Sequence, residues 1–438
     1  MYNVIIPEAI PSLNKGEAAI LRGIQETLSL CGKFNLILYS PPAWVEDDKK
    51  RYEPEITVVT GLDFMDIANG FLEEPFERGR LFQYKLSGKL LLYSCLSILS
   101  PKAANYIFKD RFLESLANAD LIVAGHDGML GYNHFWIVLA ANILKKPIAL
   151  FGGGNDYSGR NKKLRVRKFL QFIANHSILL TVRDYNTREY FIANDVKPNK
   201  VHLFPDPAVL LKPCSESRVK EILQIENIPD SLDVPLYGLI PVIGGIVFKY
   251  SFTYEKDKNR KLQLRVKLWL DILIHLLDTT NAHFIFLPHC IGPTVIFDDR
   301  RMIEAIYKAI PRGRERITVI RNEYSEGELK GLMKRCDFIL GERTHGLIGS
   351  VSVATPCIAL TVEEDIRMHY IIKKMFKRPT FNLNSPDINS LKKLLSEEWS
   401  NREEIRSDMR DEATHIHNEA TKAAMMLKER IESVLYKS

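Results

Sequence analysis

Residues 341–346 read Gly-Glu-Arg-Thr-His-Gly, and two of them could do chemistry. An arginine presents a planar fork that grips a carboxylate or a phosphate. A histidine two residues on can give or take a proton near neutral pH. What the pair can do depends on where the turn sits. Phe338-Ile339-Leu340 before it reads as a short buried strand, and Leu347 to Ala354 after it as a buried helix of small and apolar residues. Pro356 stops that helix, and Cys357 to Leu360 reads as the next strand. This is strand–turn–helix–strand, the unit of a parallel α/β sheet. The turn then lies at the carboxyl end of a strand, where open α/β sheets take ligands. It also lies at the amino end of a helix, whose unpaired N–H groups attract anions. Arg343 and His345 are therefore the candidate catalytic residues. The plainer alternative is a surface turn whose Arg and His are solvated or cap a neighbouring element.

Further candidates stand at other strand ends. Asn3 to Ile6, a helix from about Glu17 to Leu30 and Phe34 to Tyr39 form an opening βαβ unit. Asn14-Lys15-Gly16-Glu17 lies at its helix entrance, where Lys15 could meet an anion and Gly16 lets backbone approach a ligand. Asn14 and Glu17 could equally be a plain capping pair. Ala119 to Ala124 is a buried strand ending in Gly125-His126-Asp127-Gly128. Ile148 to Phe151 is another, ending in Gly152-Gly153-Gly154. Two glycine-rich turns on consecutive strands suit a phosphate or a sugar. His126 and Asp127 could act on substrate or could hydrogen-bond each other. Arg183 ends the strand Ser177 to Val182 and is a second candidate anion ligand. A salt bridge to Asp184 or Asp206 is its alternative. His289 ends the strand His283 to Leu287, and Asp298-Asp299 reads first as a helix start.

In order along the chain, these segments resemble the polysaccharide pyruvyl transferase family. The match rests on Asn14-Lys15-Gly16-Glu17, on the turn after Ala124, and on Val182-Arg183-Asp184 with Pro205-Asp206-Pro207-Ala208. It continues in Pro288-His289 followed by Asp298-Asp299, and in Gly-Glu-Arg-Thr-His-Gly with Thr355-Pro356-Cys357. His126 and Asp127 stand where glycines are usual, and Glu363-Glu364-Asp365 where the family has an aromatic residue and a lysine. The resemblance implies two doubly wound, Rossmann-like α/β domains in a GT-B-type arrangement with a central cleft. It implies transfer of pyruvate from phosphoenolpyruvate to two hydroxyls of a sugar as a ketal, in cell-surface or exopolysaccharide biosynthesis. Arg343 would hold the donor, with His345 as acid or donor ligand. Asn14, Lys15, Gly16, His126, Asp127, Gly153, Arg183 and His289 would bind substrate.

Length and composition agree with this outline. A chain of 438 residues suits two domains. The polar, proline-marked stretch 213–235 is the expected linker, between an N-terminal domain 1–212 and a C-terminal domain 236–380. A helical segment 381–438 follows, with 397–435 as one helix that packs across a domain or pairs two copies of the chain. The excess of Lys and Arg over Asp and Glu, 60 against 54, fits an anionic small ligand or acidic glycan and carries no nucleic-acid motif. Six cysteines without a C-x-x-C pair read as reduced thiols of a cytoplasmic protein. No metal-ligand spacing occurs, and no cofactor is expected beyond phosphoenolpyruvate as co-substrate. No signal peptide is expected ahead of the first strand. Leu90 to Leu99 is too short to span a bilayer and reads as a core helix, with a peripheral membrane contact as the alternative. The basic run from Arg160 to Lys168 reads as a solvated helix face, with contact to anionic lipid, as at the inner face of the membrane, or to an anionic polymer as the sharper alternative.

The acceptor is expected to be a glycan or a lipid- or nucleotide-linked sugar. A GT-B-type sugar-nucleotide glycosyltransferase is the first alternative. The E-x7-E pattern of many such enzymes is absent, since from Glu363 or Glu364 it falls on Ile371 or Ile372. A non-catalytic carbohydrate-binding protein of the same fold is the second.

Overall fold

The computed structural model describes residues 2–62, 77–126, 132–155, 159–231 and 233–435. Two all-parallel sheets organise them. The first contains β1 (Tyr2–Ile6), β2 (Phe34–Tyr39), β3 (Thr57–Val59), β4 (Leu121–Ala124), β5 (Ile148–Gly153), β6 (Leu179–Val182) and β7 (His202–Leu203). Its strand order is β3-β2-β1-β4-β5-β6-β7. The second contains β8 (Leu236–Ile240), β9 (His283–Phe286), β10 (Ile317–Val319), β11 (Phe338–Gly341), β12 (Cys357–Thr361) and β13 (Thr380–Asn382), in the order β10-β9-β8-β11-β12-β13. Each is the doubly wound pattern, in which the chain works outward to one side of the first strand and then to the other. The central strands β4, β5, β8, β11 and β12 are buried at every residue. That is why they read as unbroken apolar runs and not as alternations.

The expected helices and strands recur with shifted ends. The helix read from about Glu17 to Leu30 spans Lys15–Cys31, and the long helix Lys258–Thr279 of the second unit starts at Asp257, which caps it through Arg260 N–H. Gly152 and Gly153, expected in a turn, are the last residues of β5, where Gly153 pairs with Val182. The single helix expected over 397–435 is two, Ile388–Ser400 and Arg402–Leu435, divided at Asn401.

Residue contacts divide the chain into two compact units. One comprises Met1–Ser12, Ile24–Pro207 and Glu419–Ser438, the other Leu13–Gly23 and Ala208–Asn418. These bounds differ from consecutive domains 1–212 and 236–380 for local reasons. Leu13–Gly23 belongs to the second unit because its start pairs with the loop after β9: Ile291 N–H donates to Leu13 O at 2.9 Å and Lys15 N–H to His289 O at 3.1 Å. The stretch from Ala208 is likewise part of the second unit. The buried Lys330 ammonium donates to the carbonyls of Val209 at 2.9 Å and Leu211 at 2.6 Å, and Arg218 meets Glu328 at 2.7 Å. The first unit's core gathers Leu90, Tyr93, Phe112, Ile122, Leu150 and Ile173. The second's gathers Tyr237, Trp269, Phe284, Phe286, Phe338 and Ile358.

Candidate active site

In the second sheet β8 and β11 are neighbours, and the chain leaves them in opposite directions. Their carboxyl ends therefore mark the switch point of the sheet, where ligands of such folds bind. The Gly-Glu-Arg-Thr-His-Gly turn is the end of β11. Glu342, its second residue, turns inward. It accepts from Val242 N–H at 2.7 Å and from the Arg265 guanidinium at 2.6 Å, in a pair shielded completely from solvent. Arg265 also donates to Val242 O at 2.9 Å. This brace ties the turn after β11 to the turn after β8. Burial pushes the Glu342 carboxyl up, against the pull of Arg265.

Arg343 comes next, immediately before the helix Thr344–Ser352. Its Nε and Nη2 donate to the two oxygens of Asp299 at 3.0 and 2.7 Å, and Nη2 also reaches Phe297 O at 3.3 Å. Burial opposes the charge on Arg343, but the Asp299 carboxylate outweighs it and holds the guanidinium protonated. Nη1 lies on the opposite edge of the fork, and the side chain keeps 20 % exposure. Asp299 also accepts from Cys290 N–H at 3.0 Å, so it fixes the loop after β9 as well as the arginine. The sequence favoured Asp299 as a helix start. It does stand just before the helix Arg300–Ala309, yet it makes no cap there, because its oxygens are taken by Arg343 and Cys290.

Two histidines and the Asn14 loop complete the cluster. A Cβ added at Gly16 would lie 2.8 Å from His345 Cβ and 2.9 Å from its Nδ1, so the imidazole packs directly on Gly16. A Cβ at Gly346 would lie 3.4 Å from His289 Cδ2 and 2.9 Å from Ile240. Glycine stands at both places because a side chain would displace a histidine or the end of β8. His289 is buried and pushed down to about 3, first by burial and then by the nearby His345, Arg343 and Lys15. It is therefore a neutral imidazole at pH 7. Asn14 bridges Cys290 and its side-chain amide donates to the Glu17 carboxylate at 2.8 Å. The Lys15 ammonium meets Glu323 at 2.8 Å. Burial pushes the Cys290 thiol up to about 12, so it offers no thiolate nucleophile. Of the candidates read from sequence, this unit gathers Asn14, Lys15, Gly16, His289, Arg343 and His345.

The others belong to the first unit. Its switch point lies between β1 and β4. Glu8, just after β1, accepts from Gly125 N–H at 2.8 Å, meets His126 Nδ1 at 2.7 Å and meets His134 Nε2 at 2.5 Å. Burial acts to raise Glu8, but the two imidazoles prevail and hold its carboxyl well below the usual range. His126 is thus paired with Glu8, and Asp127 lies outside the described residues. Arg183 is buried on Asp206 at 2.9 Å, one of the partners its sequence context allowed. Asp184 instead caps the helix Tyr185–Ala193 through Thr187. Gly153 accepts from Arg183 N–H at 3.0 Å. Glu8, His134, Glu342 and Arg265 went unnoticed in the sequence, since each is joined to its partner only by folding. Among the described residues no group of three or more His, Cys, Asp or Glu is placed to hold a metal ion. No described helix is long and apolar enough to cross a membrane.

Comparison with known proteins places the chain. The family model of the polysaccharide pyruvyl transferases matches residues 14–364, from the Asn14 loop to just beyond β12. No curated protein matches it. Similar solved structures include MnaA from S. aureus with UDP (12 % identity, TM-score 0.55, covering 100 % of this chain and 97 % of that one). Another is the UDP-GlcNAc 2-epimerase of Neisseria meningitidis bound to UDP-GlcNAc (12 %, 0.53, 98 % and 100 %). A third is CalG4, the calicheamicin glycosyltransferase (11 %, 0.52, 99 % and 99 %). At such identities the likeness is one of fold, two Rossmann-like α/β units of the GT-B class.

Proposed function

Since this chain belongs to the polysaccharide pyruvyl transferase family, we propose that it transfers pyruvate from phosphoenolpyruvate to two hydroxyls of a sugar as a cyclic ketal. The acceptor is a glycan or a lipid- or nucleotide-linked sugar, in cell-surface or exopolysaccharide synthesis. The observation that carries the reading is the cluster of hydrogen-bond donors and basic side chains at the second unit's switch point. There Arg343, His345, His289 and the Asn14–Gly16 loop converge on the start of the helix Thr344–Ser352.

The donor carries a phosphate and a carboxylate, and both need cationic or N–H partners. Arg343 holds the donor through the edge of its fork that Asp299 leaves open. Lys15 and the first N–H groups of the helix add positive potential. His345, fixed against Gly16, protonates the terminal carbon of the enol. One sugar hydroxyl then attacks the central carbon, the bond to the phosphate oxygen breaks, and the second hydroxyl closes the ring. Of the two hydroxyl protons, one balances the proton taken up by carbon and the other leaves with phosphate. His289, neutral because it is buried among cations, acts as a hydrogen-bonding partner and not as a charge. Within the first unit, His126, oriented by Glu8, offers an imidazole to a hydroxyl. No cofactor is needed for these steps.

Thermal shift with phosphoenolpyruvate against a nucleotide sugar tests the donor. A shift with phosphoenolpyruvate, lost in Arg343→Ala, supports pyruvyl transfer. A shift with the nucleotide sugar alone moves the assignment to a glycosyltransferase.

A further inference from the structure

One helical layer of the first unit combines exposed apolar residues with a border of basic ones. Four helices pack in succession there: Pro101–Phe108 on Glu77–Leu99, that helix on Tyr132–Ile143, and that in turn on Leu164–His176. Tyr93 joins the first two, meeting the Phe108 ring edge-on at 5.4 Å and donating to Asn105 at 2.6 Å. Phe135 joins the last two by stacking on Phe169 at 4.2 Å. Acidic residues are sparse along these helices, with Glu77 at the start of one, Asp110 meeting Lys89 at 3.5 Å and Glu114 accepting from Asn105 at 3.2 Å. None occurs from Arg78 to Lys109, from Gly128 to Asn155, or from Tyr157 to Arg183.

The outward residues are not those of an ordinary solvated helix. Leu92, Cys95 and Leu99 recur on one exposed face of the helix Glu77–Leu99. Leu99 is 82 % exposed, and Tyr106 and Ile107 on the next helix are 77 % and 63 % exposed. Single exposed apolar residues are common, but a group of this size on adjoining helices marks a contact surface. Cations border it. Lys102 is exposed, and Lys109 lies over the Tyr106 ring at 5.7 Å. At the far end of the layer exposed Lys163, Arg165 and Lys168 surround Leu164, itself 58 % exposed.

We propose that this helical face docks the protein on an anionic lipid bilayer, with Leu92, Leu99, Tyr106 and Ile107 entering the headgroup region and the bordering lysines and arginines meeting lipid phosphates. Apolar insertion and cationic attraction are the two contributions that hold interfacial proteins. Tyrosine and lysine are side chains whose apolar stems and polar ends suit that boundary. Charge selects the bilayer as occupant. A second copy of the same face would bring like charges together, whereas a leaflet rich in anionic lipid complements them.

The test is cosedimentation of the full chain with vesicles of phosphatidylcholine alone and of phosphatidylcholine mixed with phosphatidylglycerol, at low and high salt. The protein should sediment with the mixed vesicles, stay in solution with the neutral ones, and dissociate as salt rises. Lys163→Glu with Lys168→Glu should lower partitioning by at least about fivefold for each charge removed. Leu99→Glu with Ile107→Glu should lower it further, and both variants should keep the parent melting temperature. Equal partitioning into the two vesicle types, or no loss in these variants, would overturn the proposal. So would light scattering that shows a dimer in the parent and a monomer in Leu99→Glu/Ile107→Glu, since the face would then be a contact between copies.

Discussion

The two switch points occupy the same place in two similar sheets and carry opposite charge designs. In the second unit a cation is held by a carboxylate: Arg343 on Asp299, with Lys15 and two histidines nearby. In the first unit a carboxylate is held by imidazoles: Glu8 between His126 and His134, with Gly125 N–H as a third partner. The topology provides the location and the side chains decide what it can attract. A guanidinium with one edge open, beside an ammonium and the N–H groups of a helix start, suits an anionic donor. A buried carboxylate that orients an imidazole suits a neutral hydroxyl partner.

Removing each central carboxylate tests the contrast most strongly. Asp299→Ala leaves the Arg343 guanidinium without its buried partner and should destabilise the fold by about 3–5 kcal/mol. Glu8→Ala leaves two imidazoles and one N–H without theirs and should cost about 2–4 kcal/mol. Urea melts of both variants measure the difference, and a negligible cost for either would break the symmetry claimed for the two sites. Catalysis should divide them differently. His345→Ala should lower turnover by about 10²–10⁴-fold with an unchanged melt. Gly16→Ala sets a methyl group 2.8 Å from the His345 side chain. It should cost about 1–3 kcal/mol and lower kcat, because the imidazole must move.

Acid sensitivity separates the sites by pH. His289 titrates at about 3 when folded against an ordinary 6.5. Between those values the unfolded chain binds a proton that the folded chain refuses. The stability is fully present above pH 6.5 and falls on acidification by about 1.4 kcal/mol per pH unit for this one group. Glu8 is also depressed, so its contribution is present above its ordinary 4.5 and is lost only as pH falls below that. Denaturant titrations between pH 6.5 and 4.5 should therefore report His289, together with His283, which burial pushes down to about 4, and not Glu8, and His289→Gln should reduce the slope in that window. The smallest effect is expected at the pair of the buried Lys15, whose ammonium we assign to the donor, with Glu323, a carboxylate that water still reaches. Lys15→Met should change stability by less than about 1 kcal/mol while raising the donor KM.

Local pattern made the strands legible. Phe338–Gly341, Cys357–Thr361 and Leu121–Ala124 are fully buried, and their apolar runs admit few other readings. The Arg343–His345 turn was legible for the same reason, since strand and helix bracket it directly. Its electrostatics were not. Asp299 lies 44 residues from Arg343, and His126 lies 118 from Glu8. Nothing in local spacing tells which carboxylate a folded chain will bring to a given cation. Arg183 shows the same limit: a salt bridge and a ligand role fit its sequence context alike, and the buried contact with Asp206 appears only in three dimensions. The bounds of the compact units were hidden too, because Leu13–Gly23 joins the second unit through backbone bonds to the loop after β9.

Phosphate release from phosphoenolpyruvate, measured with a panel of free, lipid-linked and nucleotide-linked sugars for the parent chain and His345→Ala, tests the central claim most directly. Acceptor-dependent release by the parent, lost in a variant that melts at the same temperature, is the result expected. Release that survives in His345→Ala, or no release with any sugar, would contradict it.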